Sequence, residues 1–310
     1  MYPRQFYPPI DPRDSGYLAV SEGHRIHWQV SGNPRGLAAL YLQGGPGGAC
    51  QRNHARLFNP HLYRAVLSDQ RGCGRSTPHA GIAGNTTADL IGDIEALREA
   101  LHIDRWLVVG GSWGSALGIA YAQRHPRRVS ALVLHGIFLG RSCELDWLYR
   151  RGAAPLFPDA WERFTSWIPA AERDDVVLAY HRELNAGDAL QQEVAALRWC
   201  EWEASLTRRI TSSATPDLAR ARISAHYFTH RSFLGEGQLL RDLPALRSIP
   251  CTLIQGRDDL VTPLRSACDL HAAWPGSTLD IVDGAEHGTA EGGIVDRLIR
   301  AIDRHAHTHA

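Results

Sequence analysis

The segment Gly110-Gly111-Ser112-Trp113-Gly114 sets a serine between glycines two positions before it and two after. A serine hydroxyl is a weak nucleophile at neutral pH. It becomes useful only with a base to take its proton, an acid to orient that base, and donors to hold an oxyanion. The glycine spacing suits a tight, strained turn between a strand and a helix, where neighbouring backbones must pass closely. The flanks fit this geometry: Trp106-Leu107-Val108-Val109 reads as a buried strand, and Ser115 to Gln123 as a helix that ends shortly before Pro126. A plain glycine-rich turn would lack that strand and helix. Ser112 is therefore the candidate nucleophile.

A nucleophile in this setting takes its partners from later in the chain, in the order Ser, then Asp or Glu, then His. Of the sixteen histidines, His287 in Asp283-Gly284-Ala285-Glu286-His287-Gly288 follows the strand Leu279 to Val282 and is the candidate base. His226, His230 and His271 fall inside helical patterns, where structural or surface roles are expected, and the C-terminal histidines lie beyond the last expected helix. The acid belongs on the loop after the strand Cys251-Thr252-Leu253-Ile254. Asp258 and Asp259 both meet that spacing, and the other would then cap the following turn or helix. The loop Gly44-Gly45-Pro46-Gly47-Gly48 can bring a backbone N–H close to a reacting carbonyl because it lacks most Cβ atoms. It has neither the Lys-Ser/Thr ending of a phosphate-binding P-loop nor the dinucleotide pattern. The N–H groups of Gly45 and Trp113 are the candidate oxyanion donors.

The elements that must carry these residues alternate short apolar runs with helical patterns, the signature of a parallel sheet with crossover helices. Expected strands are Leu37 to Leu42, Tyr63 to Leu67, Trp106 to Val109, Val129 to Leu134, Cys251 to Ile254 and Leu279 to Val282. Between Thr86 and Ala100 the apolar residues Leu90, Ile94 and Leu97 mark a helix, and Ile294 to Ile302 marks the last one. From 139 to 240 the chain is rich in Trp, Arg, Glu and Ala, with helical periodicity and no convincing strand. The expected organisation is an α/β core of residues 1–138 and 241–310 with a helical cap inserted over 139–240.

The composition is that of an ordinary globular enzyme, with 44% hydrophobic and 21% charged residues over 310 positions. Thirty-three basic and 33 acidic residues cancel, and every basic residue is Arg, scattered along the chain. Nothing in that distribution points to nucleic acid or to an anionic membrane surface. No stretch is apolar enough to span a membrane, and the N-terminus Met1-Tyr2-Pro3-Arg4-Gln5-Phe6 does not read as a signal peptide. The six cysteines form no Cys-x-x-Cys pair, so reduced thiols of a cytoplasmic protein are expected rather than a metal or redox site. The run His305-Ala306-His307-Thr308-His309 is expected to be a frayed polar tail rather than a metal site. The chemistry requires no metal and no organic cofactor.

Taken together, Gly44-Gly45-Pro46-Gly47-Gly48, Asp69-Gln70-Arg71-Gly72-Cys73-Gly74-Arg75-Ser76, Gly110-Gly111-Ser112-Trp113-Gly114-Ser115 and Gly256-Arg257-Asp258-Asp259 resemble the prolyl aminopeptidase (proline iminopeptidase) family of serine peptidases. The resemblance runs nearly end to end. It implies an α/β-hydrolase fold, with a mostly parallel central sheet and an inserted helical cap, and Asp259 rather than Asp258 as the triad acid. It also implies a small peptide or amide substrate that loses an N-terminal proline. Acidic cap residues would hold the free amine, the first of them mapping to Glu203 in Trp199-Cys200-Glu201-Trp202-Glu203. Phe138, Tyr149 and Phe228 fall at or near positions resembling the pocket for the proline ring.

Four residues depart from the family's pattern. Gln43 stands where a His usually precedes Gly-Gly-Pro-Gly, His135 where an Arg usually precedes Gly-Ile-Phe, and Glu286 where a Gly usually precedes the catalytic His. Ser224 replaces a second cap glutamate, which removes one charge-assisted contact worth about 1.5–3 kcal/mol to a bound amine. Ser224 and Gln43 are thus further candidate substrate-site positions. The pattern predicts retained hydrolase chemistry with altered recognition. The alternative is a related amidase, esterase or acyltransferase for a specialised metabolite. A binding protein on a hydrolase scaffold would not need the complete Ser, Asp, His order.

Overall fold

The computed structural model describes residues 3–207, 217–288 and 293–309. Eight strands form one sheet: β1 (Asp14–Ala19), β2 (Arg25–Gly32), β3 (Leu37–Leu42), β4 (Tyr63–Ser68), β5 (Trp106–Ser112), β6 (Val129–Ile137), β7 (Cys251–Gly256) and β8 (Ser277–Val282). Their order is β1-β2-β4-β3-β5-β6-β7-β8. The pairings from β4 through β8 are parallel, whereas β1 with β2 and β2 with β4 are antiparallel. The central strands are covered on both faces and are nearly continuous apolar runs, which makes them visible in sequence. β1 and β2 were not expected as strands. β1 is largely exposed, and β2 interleaves His27, Gln29 and Ser31 with its apolar residues, so neither presents an apolar run.

Helices cover the sheet. α1 (Arg52–Ala55) is short, while α2 (Thr87–Ala100) starts at a capping box in which Thr86 and Asp89 exchange backbone hydrogen bonds. Leu90, Ile94 and Leu97 form its buried stripe. α3 (Trp113–Arg124) leaves the end of β5 and is buried almost all round, as befits the helix beneath the centre of the molecule. Between β6 and β7 lie α4 (Ser142–Tyr149), α5 (Pro158–Ser166), α6 (Val176–Leu184), α7 (Ala189–Leu206), α8 (Leu218–Thr229) and α9 (Gln238–Arg241), with no strand among the described residues. Aromatic packing holds this insertion together: Phe164 stacks on Tyr180 at 4.5 Å, and Tyr149 stacks on Trp199 at 4.8 Å. α10 (Leu264–Ala273) and α11 (Ile294–His309) complete the core.

The expectation of a frayed tail from His305 is corrected. α11 continues through His309, Ala306 is buried, and His305 Nε2 lies 3.1 Å from Ser130 Oγ. The amphipathic stripe of α11 extends past Ile302 because Ala306 lies one turn further along the same face. Among the described residues, no helix is long and apolar enough to cross a membrane.

One buried side chain ties the sheet to its own stability. His135 on β6 pairs in register with Gly111 on β5, and a Cβ at Gly111 would collide with the imidazole. Burial, reinforced by the neighbouring His287 and His54, holds the His135 pKa down to about 3; burial holds His54 down to about 4. Both rings are therefore neutral in the fold, whereas the unfolded chain takes up protons near the ordinary value of 6.5. A depressed histidine stabilises fully above the unfolded pKa and loses that contribution as pH falls toward the folded one. The thermal midpoint is expected to fall as pH drops from about 6.5 toward 4, with His135→Gln showing a weaker dependence. A midpoint flat across that window in the unmodified protein would refute this. Gly111→Ala should destabilise by about 1–3 kcal/mol in denaturant titrations, because the imidazole has nowhere to move in a packed interior.

Candidate active site

The backbone at Ser112 is the most constrained point of the site. Ser112 closes β5 and precedes α3 with φ 57° and ψ −124°, a conformation that costs a non-glycine residue about 1–3 kcal/mol. A Cβ at Gly110 would strike the Gly114 carbonyl, and one at Gly114 would strike the Leu42 carbonyl of β3. Both glycines are thus required by backbone contact. Ser115 fastens the turn from below: its hydroxyl donates to Ser112 O at 2.6 Å and accepts from Phe138 N at 3.0 Å.

Asp259 and His287 arrive from the loops after β7 and β8. His287 Nδ1 lies 2.8 Å from Asp259 Oδ2, which assigns the proton to Nδ1 and leaves Nε2 as the basic nitrogen. Asp259 is buried and accepts at Oδ1 from the Val261 and Thr262 N–H groups, at 2.9 and 2.8 Å. Its Oδ2 also accepts from Thr262 Oγ1 at 2.8 Å and Gln255 Nε2 at 3.0 Å. Burial alone would raise its pKa, but His287 and the Thr262 hydrogen bonds outweigh it and hold the carboxyl below the usual range. Turn capping, expected of one of the two aspartates, is performed by Asp259, which also holds His287. Asp258 is exposed, and its backbone N–H donates to Ala285 O. Gly136, at φ 54°, leaves room for the His287 ring, since a Cβ there would lie 3.1 Å from His287 Cε1. Ser112 and His287 line the same cavity without a direct hydrogen bond between them, a contact that commonly tightens only when substrate is bound.

The glycine loop after β3 borders this cavity through Gly44, Gly45 and Gly48. Gly44 comes nearest to the serine, since a Cβ there would lie 3.0 Å from Ser112 Cβ. Gly45 has φ 131°, open only to glycine, and its neighbours Gly47 and Gly48 crowd its Cβ position at 2.6 Å. Gln70 couples the loop to the helix. Its Oε1 accepts from Trp113 Nε1 at 3.0 Å, and its Nε2 donates to Gln43 O at 3.1 Å. The rest of the Asp-Gln-Arg-Gly segment is braced by Arg71, which forks onto both Asp93 oxygens at 2.6 and 2.7 Å.

The cavity has a volume of about 350 Å³. Of the substrate-site candidates, Gln43, Phe138, Tyr149, Glu203 and Phe228 lie on its wall. Phe138 and Phe228 meet edge to face at 6.0 Å, and Tyr149 lies 5.5 Å from Phe228. Glu203 Oε1 accepts from Tyr149 OH at 3.0 Å and from Trp199 Nε1 at 2.9 Å, so the shared helix face of Trp199 and Glu203 becomes a hydrogen bond. Ser224 is not brought to the wall. Its buried hydroxyl donates to Pro46 O at 2.7 Å and so fastens α8 to the glycine loop. The wall also holds His54, Asp217 and Arg220, none of which the motifs singled out. Charged residues on a helix usually face solvent, so no sequence signal marked Arg220.

Comparison with known proteins agrees with this architecture. The α/β hydrolase fold family matches residues 40–292. The chain is 47% identical over 309 residues to the proline iminopeptidase of Xylella fastidiosa, spanning 97% of this chain and 99% of that one. It is also 47% identical to the proline iminopeptidase of Arabidopsis thaliana, spanning 97% of this chain and 82% of that one. A solved carboxylesterase structure from Nitrososphaera gargenis matches with a TM-score of 0.63 at 16% identity, over 95% of this chain and 100% of that one, a likeness in fold alone. By sequence and by fold, the chain belongs to the proline iminopeptidase family of α/β-hydrolase serine hydrolases.

Proposed function

We propose that this hydrolase releases an N-terminal proline, or a similarly small residue, from short peptides or amides through an acyl-enzyme on Ser112. The observation that carries this reading is the convergence on one cavity of the strained Ser112 and the His287–Asp259 pair, opposite Glu203 in an aromatic wall. In this mechanism Ser112 Oγ attacks the scissile carbonyl while His287 Nε2 takes its proton. Asp259, ionised well below neutral pH, stabilises the resulting imidazolium. The Gly45 and Trp113 N–H groups hold the oxyanion, supported by the tight approach of the glycine loop to Ser112. Collapse expels the amine, which takes the proton from His287. Water, deprotonated by the same nitrogen, then cleaves the acyl-enzyme and restores Ser112.

Phe138, Tyr149 and Phe228 supply an apolar face for a pyrrolidine ring, and Glu203 supplies a carboxylate for the substrate ammonium. Gln43, at the base of the glycine loop, lines the reacting end of the cavity. Ser224 acts at one remove, holding the loop rather than the substrate. The helical insertion over 139–240 serves as the cap that closes the site. We place the protein in the cytoplasm, a reading supported by six cysteines that are all free thiols.

Replacing Ser112 by Ala should lower kcat for a proline arylamide by about 10⁴-fold or more, and Asp259→Asn by about 10⁴-fold. Absence of arylamide turnover from a protein that still reacts with a fluorophosphonate at Ser112 would overturn the proline assignment and leave the hydrolase chemistry standing. Glu203→Gln should raise KM for the arylamide by about tenfold or more, as expected for loss of a charge-assisted contact. An unchanged KM would remove Glu203 from amine recognition.

A further inference from the structure

Helix α8 presents two residues, one turn apart, to the glycine loop. Ser224 holds Pro46 O, and Arg220 packs so tightly that a Cβ at Gly47 would lie 2.8 Å from Arg220 Cα. That anchoring sets where the Arg220 side chain departs from the helix. It reaches the cavity wall, where its Nε donates to Glu203 Oε2 at 2.8 Å. With Tyr149 and Trp199 on the other oxygen, Glu203 meets a substrate already neutralised and with three of its roughly four acceptor positions in use.

A guanidinium on that carboxylate works against a site built only for ammonium ions, because it repels the incoming cation. Arg220, however, has a second edge. With Nε on Glu203, its Nη groups have no hydrogen-bond partner among the described residues, and 45% of the side chain is exposed against 14% for Glu203. A guanidinium fork binds carboxylates in bidentate fashion. Asp217 does not claim this edge, since its Oδ1 accepts the Arg220 backbone N–H as the cap of α8.

We propose that Arg220 is a specificity-determining residue that binds a substrate carboxylate. The cavity then selects short zwitterionic peptides, with the ammonium on Glu203 and the C-terminal carboxylate on Arg220, over molecules whose only charge is the ammonium. An extended dipeptide spans about 7 Å, a length that suits a cavity of about 350 Å³ lined by Ser112, Glu203 and Arg220 together. The inference rests on the hydrolase reading of Ser112 given above and narrows its substrate class.

The test compares prolylglycine with prolylglycinamide, which differ only in that carboxylate. The unmodified protein should favour the free acid by about tenfold or more in kcat/KM. Arg220→Met and, as a second variant, Arg220→Gln should bring the ratio near unity by raising KM for the free acid. Equal kcat/KM for both peptides in the unmodified protein, or a preference that survives both substitutions, overturns the role of Arg220 and spares the hydrolase. Turnover of neither peptide, by a protein whose Ser112 also resists fluorophosphonate, overturns both. If neither variant folds, the ratio measured on the unmodified protein decides.

Discussion

Backbone crowding around Ser112 is the constraint to which the rest of the site answers. The serine stands at positive φ between the end of β5 and the start of α3, and it is held there by direct backbone contacts at Gly110 and Gly114. Those contacts reach the Gly114 and Leu42 carbonyls, so the turn depends on β3 as much as on its own strand. A conformation that costs about 1–3 kcal/mol persists only when its surroundings over-determine it. The buried sheet and the all-round burial of α3 supply that rigidity. The Ser115 hydroxyl joins the turn to Phe138 and hence to the wall of the cavity.

The polar groups near the site follow a second rule, that a buried donor or acceptor must be answered. Asp259 is answered by two backbone N–H groups, a hydroxyl, an amide and His287, and it stays ionised while buried. Gln70 answers both Trp113 and the Gln43 carbonyl, so one side chain fixes the helix against the glycine loop. Ser224 does the same from above through Pro46. These bonds tie the glycine loop, the nucleophile turn and α8 to one another. Positioning to within fractions of an ångström is what acyl-transfer chemistry draws from such second contacts.

The cavity combines the family's nucleophile turn with a charged wall paired within itself. The Gly-Gly-Ser-Trp-Gly turn is intact, while Gln43, His135, Ser224 and Glu286 depart from the family's pattern. A carboxylate at Glu203 remains, but it is shared with Tyr149, Trp199 and Arg220. The position where the resemblance expects a second acid is a serine that faces the loop instead. Selectivity is a difference between affinities, and a guanidinium paired with Glu203 changes the charge of that wall without touching Ser112.

Sequence by itself determined what depends on local pattern. Strands β3 to β7 were legible because burial on both faces makes apolar runs, the half-buried edge strand β8 showed only the short run Leu279 to Val282, and Ser112 was legible because its glycines are demanded by short-range geometry. His287 and the pair Asp258 and Asp259 could be proposed because chain order in this architecture is fixed by sheet topology, whereas the choice of Asp259 came from the family resemblance. β1 and β2 escaped because an antiparallel edge with polar inward residues leaves no such run. The extension of α11 escaped because the burial of Ala306 is set by packing against the sheet. Only the tertiary structure decided that Ser224 turns to Pro46, that His135 lies against Gly111, and that Arg220 crosses to Glu203. Those contacts join residues on separate elements, and a helix pattern says which face a residue occupies but not what stands opposite it.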